Sequence, residues 1–312
     1  MTIVSSFLFG VVRICKTRRR FVYLFRMRKI ALTILLLLAT VSLGAQTVDQ
    51  FHVPAPKVPA YVVFAGDTIR IDTPERIERM DRELLSFTNM HTISVLMLKR
   101  SKRVFAQIVP ILRKERIPED LKYLMAIECN LDPKALSSAG AAGFWQFTKA
   151  TGRHYGLEVG DEVDERYHTE KATKAACQYL REAYAKYGDW MTVAASYNAG
   201  QAGISRRLEE QQEESALELW LPEETARYMY RILAAKLFFE HPEHFGFHVP
   251  EKDYYPARTV RKKVEIKEAV PSLVDFAKAN GTTYSKLREA NLWLRSDKLT
   301  NKAAKTYTVI IP

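Results

Sequence analysis

Seven consecutive residues drawn only from serine, alanine and glycine, Ser137 to Gly143, stand between a short apolar helix and the cluster Phe144-Trp145-Gln146-Phe147. Such a stretch cannot build a core of its own; it lets backbone approach other backbone, or a ligand, closely. The helix before it is legible from spacing. Leu121, Leu124, Met125 and Glu128 fall at i, i+3, i+4 and i+7, one face of an α-helix. Ile117-Pro118-Glu119-Asp120 opens that helix, and Asp132-Pro133 is expected to end it. Glu128 is the only acid on this face. A carboxyl group in an apolar setting has its charged form disfavoured, so it can hold a proton near neutral pH. That is what a general acid needs when a poor leaving group, such as a sugar oxygen, must be protonated. The plainer alternative is a helix-end glutamate that swings out to solvent.

The following cluster widens the choice. Phe144, Trp145 and Phe147 around Gln146 suit a sugar, which offers C–H faces for stacking and hydroxyl or acetamido groups for hydrogen bonds. The same residues also suit a tight turn into a core helix. Further on, Trp190, Val193, Ala194 and Tyr197 repeat at helical spacing, so an amphipathic helix is expected with Tyr197 closing its buried stripe. Asn198 and Gly200 tolerate a left-handed helix end, and the Tyr197 hydroxyl needs a partner in a packed interior. Ala172, Ala176, Tyr179, Leu180, Ala183 and Tyr187 form another stripe, read as core.

Glu128-x-x-x-x-Pro133 followed by Ser137-x-x-Gly140-Ala141-x-Gly143-Phe144-Trp145-Gln146-Phe147 resembles the catalytic domain of soluble-lytic-transglycosylase type, in particular the membrane-bound lytic murein transglycosylase D group. Thr151-Gly152-Arg153-x-Tyr155-Gly156-Leu157, Asp164-Glu165-Arg166, Gly188-Asp189-Trp190, Tyr197-Asn198-Ala199-Gly200 and Leu221-Pro222-x-Glu224-Thr225 continue it in order, over roughly residues 84 to 245. The resemblance implies a mainly α, lysozyme-like catalytic domain, with Glu128 as the catalytic acid/base and Tyr197 near it, helping to orient it. Ser137, Gln146, Tyr197 and Asn198 are the residues expected to place the glycan. The family usually has serine after the glutamate, where this chain has Cys129.

Glycosidases that retain or invert configuration usually use two carboxylates, whereas the resemblance supplies one. Asp132 sits in a turn, and Asp164-Glu165-Arg166 reads as a structural ion-pair cluster. With one carboxyl group the substrate must supply the rest. The resemblance implies cleavage of peptidoglycan strands at the MurNAc–GlcNAc β-1,4 bond, closing a 1,6-anhydro sugar without water. A hydrolytic muramidase of goose type and a non-catalytic wall-binding protein are the alternatives. No cofactor is expected, nor a metal: His241, His244 and His248 read as a helix-exit loop.

Charge and leader fit an exported protein. The chain carries 47 Lys/Arg and 36 Asp/Glu, a formal charge of +11. Residues 1 to 45 hold eight of the basic residues and no acid, so the remainder is near neutral at +3 and a nucleic-acid partner loses its main support. Met27-Arg28-Lys29, the apolar Ile30 to Leu38 and Ser42-Leu43-Gly44-Ala45 read as a secretory signal, with Met27 as an alternative start. Periplasmic or cell-envelope residence is expected, with a retained N-terminal membrane anchor as the alternative. Cys129 and Cys177 are expected as buried packing residues, not a disulfide framework.

The map is therefore a leader over 1–45, an extended proline-rich linker over 46–74, the helical domain over 75–248 (core match 106–245), a linker over 249–263 and a small unit over 264–312. In that last unit Val264-Glu265-Ile266, the helices around Phe276 and Leu287, and Thr306 to Ile311 give a β-α-α-β order. With Gly281-Thr282-Thr283 and Asn291-x-x-Leu294 it resembles a LysM module, a fold that binds N-acetylglucosamine-containing glycans. Ala269-Val270-Pro271-Ser272 and Ala303-Ala304 depart from that pattern.

Overall fold

The computed structural model describes residues 55–312 and Thr33; apart from Thr33, the expected leader lies outside the described residues. The fold is mainly α, as expected, with a small βααβ module at its C-terminal end.

The first departure from expectation lies inside the segment read as a linker. Residues 61–70 form an antiparallel hairpin, β1 (Tyr61–Phe64) and β2 (Asp67–Arg70), with Tyr61 opposite Arg70 and Phe64 opposite Asp67. Its two turn residues, Ala65 (φ 53°) and Gly66 (φ 98°), both have positive φ, the twist that a two-residue hairpin favours. Val62, Phe64, Ile69 and Ile71 are buried in the main core. The β-branched and aromatic run Tyr61 to Phe64, and the alternation of Ile69 and Ile71 with polar residues, are the available signal; the prolines before it obscure the strand.

Helices α1 (Pro74–Asn89) and α2 (His91–Lys114) follow, the first capped by Thr73, whose hydroxyl accepts from the Arg76 amide. Next come α3 (Leu121–Cys129), the short α4 (Lys149–His154), α5 (Thr169–Tyr187), α6 (Trp190–Ala199), α7 (Gln201–Gln211) and α8 (Glu223–Glu240). The helix α6 is not amphipathic as its spacing suggested: every residue from Trp190 to Ser196 is buried. A helix apolar on all sides belongs at the centre of a domain. Asp189 starts it by accepting from the Met191 and Thr192 amides. α8 packs against α1, α3 and α6 and so joins the N-terminal helices to the helix carrying Glu128.

A buried carboxylate fixes that join. Glu83 of α1 is fully buried and accepts from Arg227 Nε at 2.6 Å and Arg231 Nε at 3.0 Å, both on α8. A charge withdrawn from water must be paired in this way.

The C-terminal module consists of β3 (Lys262–Ile266), α9 (Leu273–Ala279), α10 (Tyr284–Ala290) and β4 (Tyr307–Ile311), with β3 and β4 antiparallel. Buried Asn291 holds it closed: its side chain donates to the Ile310 carbonyl at 2.7 Å and accepts from the Ile310 amide at 2.8 Å. The segment before the module is not a free linker either. The Tyr255 amide donates to the Lys99 carbonyl on α2, and Lys102 lies over the Tyr254 ring.

Candidate active site

Glu128 sits on the last turn of α3. The helix ends at Cys129, three residues before Asp132-Pro133, because Asn130 (φ 50°) and Leu131 (φ 54°) are both left-handed. Leu131 is fully buried, and a bulky residue in this region is strained, so packing must hold it there. The turn leaves Glu128 half-buried at the helix end, neither deep in the core nor free in solvent.

The carboxyl group is not alone. Tyr228 of α8 donates its hydroxyl to Glu128 Oε1 at 2.5 Å. Burial pushes the Glu128 carboxyl up to about 7; the Tyr228 hydrogen bond and the Arg231 charge oppose the rise, and the Glu224 charge adds to it. A carboxyl poised there can give and take a proton at neutral pH. Tyr228 was missed in the sequence. The nearest signal is Leu221-Pro222-x-Glu224-Thr225, which marks the start of α8 but not which side chain of that helix faces Glu128.

Tyr197 makes its hydrogen bond to the loop and not to Glu128 itself. Its hydroxyl donates to the Trp145 carbonyl at 2.6 Å, tying α6 to the small-residue loop. It stays within electrostatic reach of Glu128, whose charge, after burial itself, helps keep the Tyr197 hydroxyl protonated. Asn198 accepts from the Thr225 hydroxyl at 2.9 Å and so pins the start of α8, three residues before Tyr228. Cys129, in the place of the family's serine, is buried and directs its thiol to the Met125 carbonyl within its own helix.

The loop over residues 137–147 is built by backbone hydrogen bonds. The Ser137 hydroxyl accepts from the Ala141 amide, and the Gly143 amide donates to the Ala135 carbonyl. Gln146 adopts φ 47° and donates its side-chain amide to Gly143 and Ala135 carbonyls. The aromatic residues are not exposed platforms for a sugar. Trp145 is fully buried with its indole N–H on the Thr173 hydroxyl at 3.0 Å, and Phe144 and Phe147 are buried too. Their role is to anchor the loop; the exposed part is Ser137 to Ala139.

Beneath the loop lies the cluster read as structural, and it is one. Arg166 pairs with Asp164 through Nε (2.9 Å) and Nη2 (2.7 Å), and its Nη1 donates to the Gly140 and Phe147 carbonyls. Glu165 pairs with Lys171. Neither acid is free to act as a nucleophile, and Asp132 accepts from the Lys134 amide in its turn. An open hollow of about 450 Å³ lies along α1 beside Arg227, and Glu128 is not among its lining residues. His241, Glu243 and His244 bring ligand atoms within 4.8 Å of one another on the exposed turn after α8; His248 is not part of that group. Cys177 is buried and, like Cys129, unpaired.

Residues 109–219 match the family described as Transglycosylase SLT domain, an interval that includes Glu128, the loop and α6. The chain carries an SLT transglycosylase domain. Residues 262–312 match the soluble lytic transglycosylase C-terminal LysM-like domain. The chain is homologous to membrane-bound lytic murein transglycosylase D of Escherichia coli (strain K12), at 27% identity over 244 residues, covering 76% of this chain and 52% of that protein. It is also similar to the peptidoglycan transglycosylase gp16 of Escherichia phage T7, at 36% identity over 86 residues, covering 27% of this chain and 6% of that one. The chain thus spans about half the length of the murein transglycosylase D relatives it matches. Among solved structures, an inactive mutant of the lytic transglycosylase Slt from Pseudomonas aeruginosa is similar at 17% identity and a TM-score of 0.37, covering 49% of this chain and 26% of that one.

Tyr228, on α8 just beyond the matched interval, lends itself to a direct test. Its hydroxyl stabilises the charged form of Glu128, so Tyr228→Phe should raise the Glu128 pKa from about 7. Any pH–rate profile limb that reports loss of the protonated acid should shift to higher pH. Were Glu128 the acid of the reaction, the maximal rate would fall about tenfold, through one lost hydrogen bond to the carboxylate left behind. An unshifted limb in the variant would remove Tyr228 from the site.

Proposed function

We propose that this chain is a peptidoglycan lytic transglycosylase that cleaves the MurNAc–GlcNAc β-1,4 bond, with Glu128 as its single general acid/base. The observation that carries this reading is the half-buried Glu128, poised near neutrality and gripped by Tyr228. The match to the SLT domain and the names of the relatives supply the substrate class.

In this mechanism protonated Glu128 donates to the departing glycosidic oxygen, and Tyr228 steadies the carboxylate left behind. The 2-acetamido group of the muramic sugar assists the departure. Glu128 then accepts the proton of the 6-hydroxyl as that oxygen attacks C1, which closes a 1,6-anhydro ring and consumes no water. Ser137 and Gln146 on the loop, with Tyr197 and Asn198 at the end of α6, are the groups proposed to place the strand. The Gln146 amide hydrogens are taken by backbone carbonyls, which leaves its amide oxygen for the substrate.

One observation favours a hydrolytic second reading: the Glu224 carboxylate lies within electrostatic reach of Glu128 and could activate a water. Digestion of purified murein followed by mass spectrometry of the products decides. Anhydro ends support transglycosylation, reducing ends support hydrolysis through Glu224, and intact murein rejects both.

The proposed setting is the cell envelope, reached through the N-terminal signal. Among the described residues, no helix is long and apolar enough to cross a membrane.

A further inference from the structure

The LysM-like module is joined to the SLT domain by more than a tether. Val163 and Leu294 form a β-bridge between them; the Asp164 amide donates to the Trp293 carbonyl, and the Arg295 amide donates to the Glu162 carbonyl, both at 2.8 Å. Glu162 accepts from the Thr300 amide (2.7 Å) and hydroxyl (2.9 Å). Glu158 accepts from Lys305 Nζ (2.8 Å) and the Tyr307 hydroxyl (2.9 Å). Apolar packing continues across the seam. Ala142, Val163 and Tyr167 of the SLT domain share one core with Leu273, Leu287, Trp293, Leu294 and Val309 of the module.

The SLT residues in this seam belong to the loop and its support. Ala142 is part of the loop itself. Asp164, whose amide is held by Trp293, uses its carboxylate to hold Arg166, and Arg166 holds the carbonyls at Gly140 and Phe147. An unbroken run of hydrogen bonds therefore leads from the module to both ends of the segment bearing Gln146.

We infer that the LysM-like module is a positioning element for the active-site loop, with Glu158 and Glu162 as the residues that seat it. This inference rests on the proposed function for its catalytic consequence. A module serving only to hold the enzyme on the wall needs no seam of this kind and would leave the loop indifferent to its presence. A brace lowers the motion of the loop, and catalysis is sensitive to displacements of about 1 Å in positioning groups.

The test is the full chain carrying Glu158→Ala and Glu162→Ala together, two substitutions outside both the catalytic residues and the module's own core. Two readouts are taken: hydrogen–deuterium exchange over residues 137–147, and turnover of a short soluble murein fragment beside that of whole sacculi. The expected result is faster exchange in the loop and a fall of about tenfold in kcat/KM on the short fragment, with the pH profile unshifted. Unchanged exchange in the loop overturns the inference. So does faster exchange with an unchanged rate on the short fragment, including a loss confined to sacculi, which is the pattern of a wall anchor. If the double variant does not fold, Glu162→Gln alone carries the same two readouts. A parent chain inert on murein would sink the proposed activity, while the exchange readout would still decide whether the module braces the loop.

Discussion

Glu128→Gln is expected to slow murein cleavage by about a thousandfold or more, the range for removing a positioned general acid. Glutamine keeps the shape of the side chain and can still meet the Tyr228 hydroxyl, but it has no proton to give to the leaving oxygen. Product release from purified murein measures the loss; turnover within tenfold of the parent would reject Glu128 as the acid. The same variant has a second signature, in stability. Burial raises the Glu128 pKa to about 7, so between the usual carboxylate range and about pH 7 the folded chain holds a proton that the unfolded chain has released. Stability therefore falls as pH rises through that window and levels off above it. Glutamine does not titrate. The stability of Glu128→Gln relative to the parent should thus improve from pH 5 to pH 8, as read by denaturant unfolding at both values. A constant difference would mean that the carboxyl is not perturbed by its surroundings.

Gly143→Ala is expected to cost about 3–5 kcal/mol, from backbone strain and overpacking together. Gly143 has φ 76°, and a Cβ there would lie 2.0 Å from the Arg166 carbonyl oxygen, a backbone atom that cannot move aside alone. Gly140, in the same loop at φ 79°, has open space where its Cβ would be. Gly140→Ala should therefore lose only the conformational term, about 1 kcal/mol. For a domain of this size the contrast is a fall in thermal midpoint of about 10 °C against a few degrees. Equal shifts in the two variants would mean that the close approach of the loop to Arg166 does not form. Because that approach also sets the loop's height above Arg166, Gly143→Ala should depress activity in whatever fraction remains folded.

The helical character of the chain, the face that carries Glu128 and the βααβ order of the last fifty residues were all legible in the chain as written. Each depends on periodicity, on proline and glycine placement, and on residues near one another along the chain. The small-residue stretch also announced a close backbone approach, though not that its partner would be Arg166. What the spacing misjudged was exposure. Phe144, Trp145 and Phe147 carried a pattern equally suited to a sugar platform and a core, and the core took them because Thr173, Tyr197 and the surrounding helices were there to receive the indole N–H and the Trp145 carbonyl. The Trp190–Ser196 stripe looked one-sided, but neighbours on every side bury it.

Contacts between residues far apart in the chain were decided only by the folded structure. The donor to Glu128 stands 100 residues away on α8, and no local pattern marks Tyr228 over Tyr230, the other tyrosine of that helix. The seam between Glu158, Glu162 and the C-terminal module likewise joins side chains about 140 residues apart. A chain's periodicity states which face of an element seeks cover; which element covers it, and therefore which pKa is moved and which loop is held, follows from how all the faces are satisfied at once.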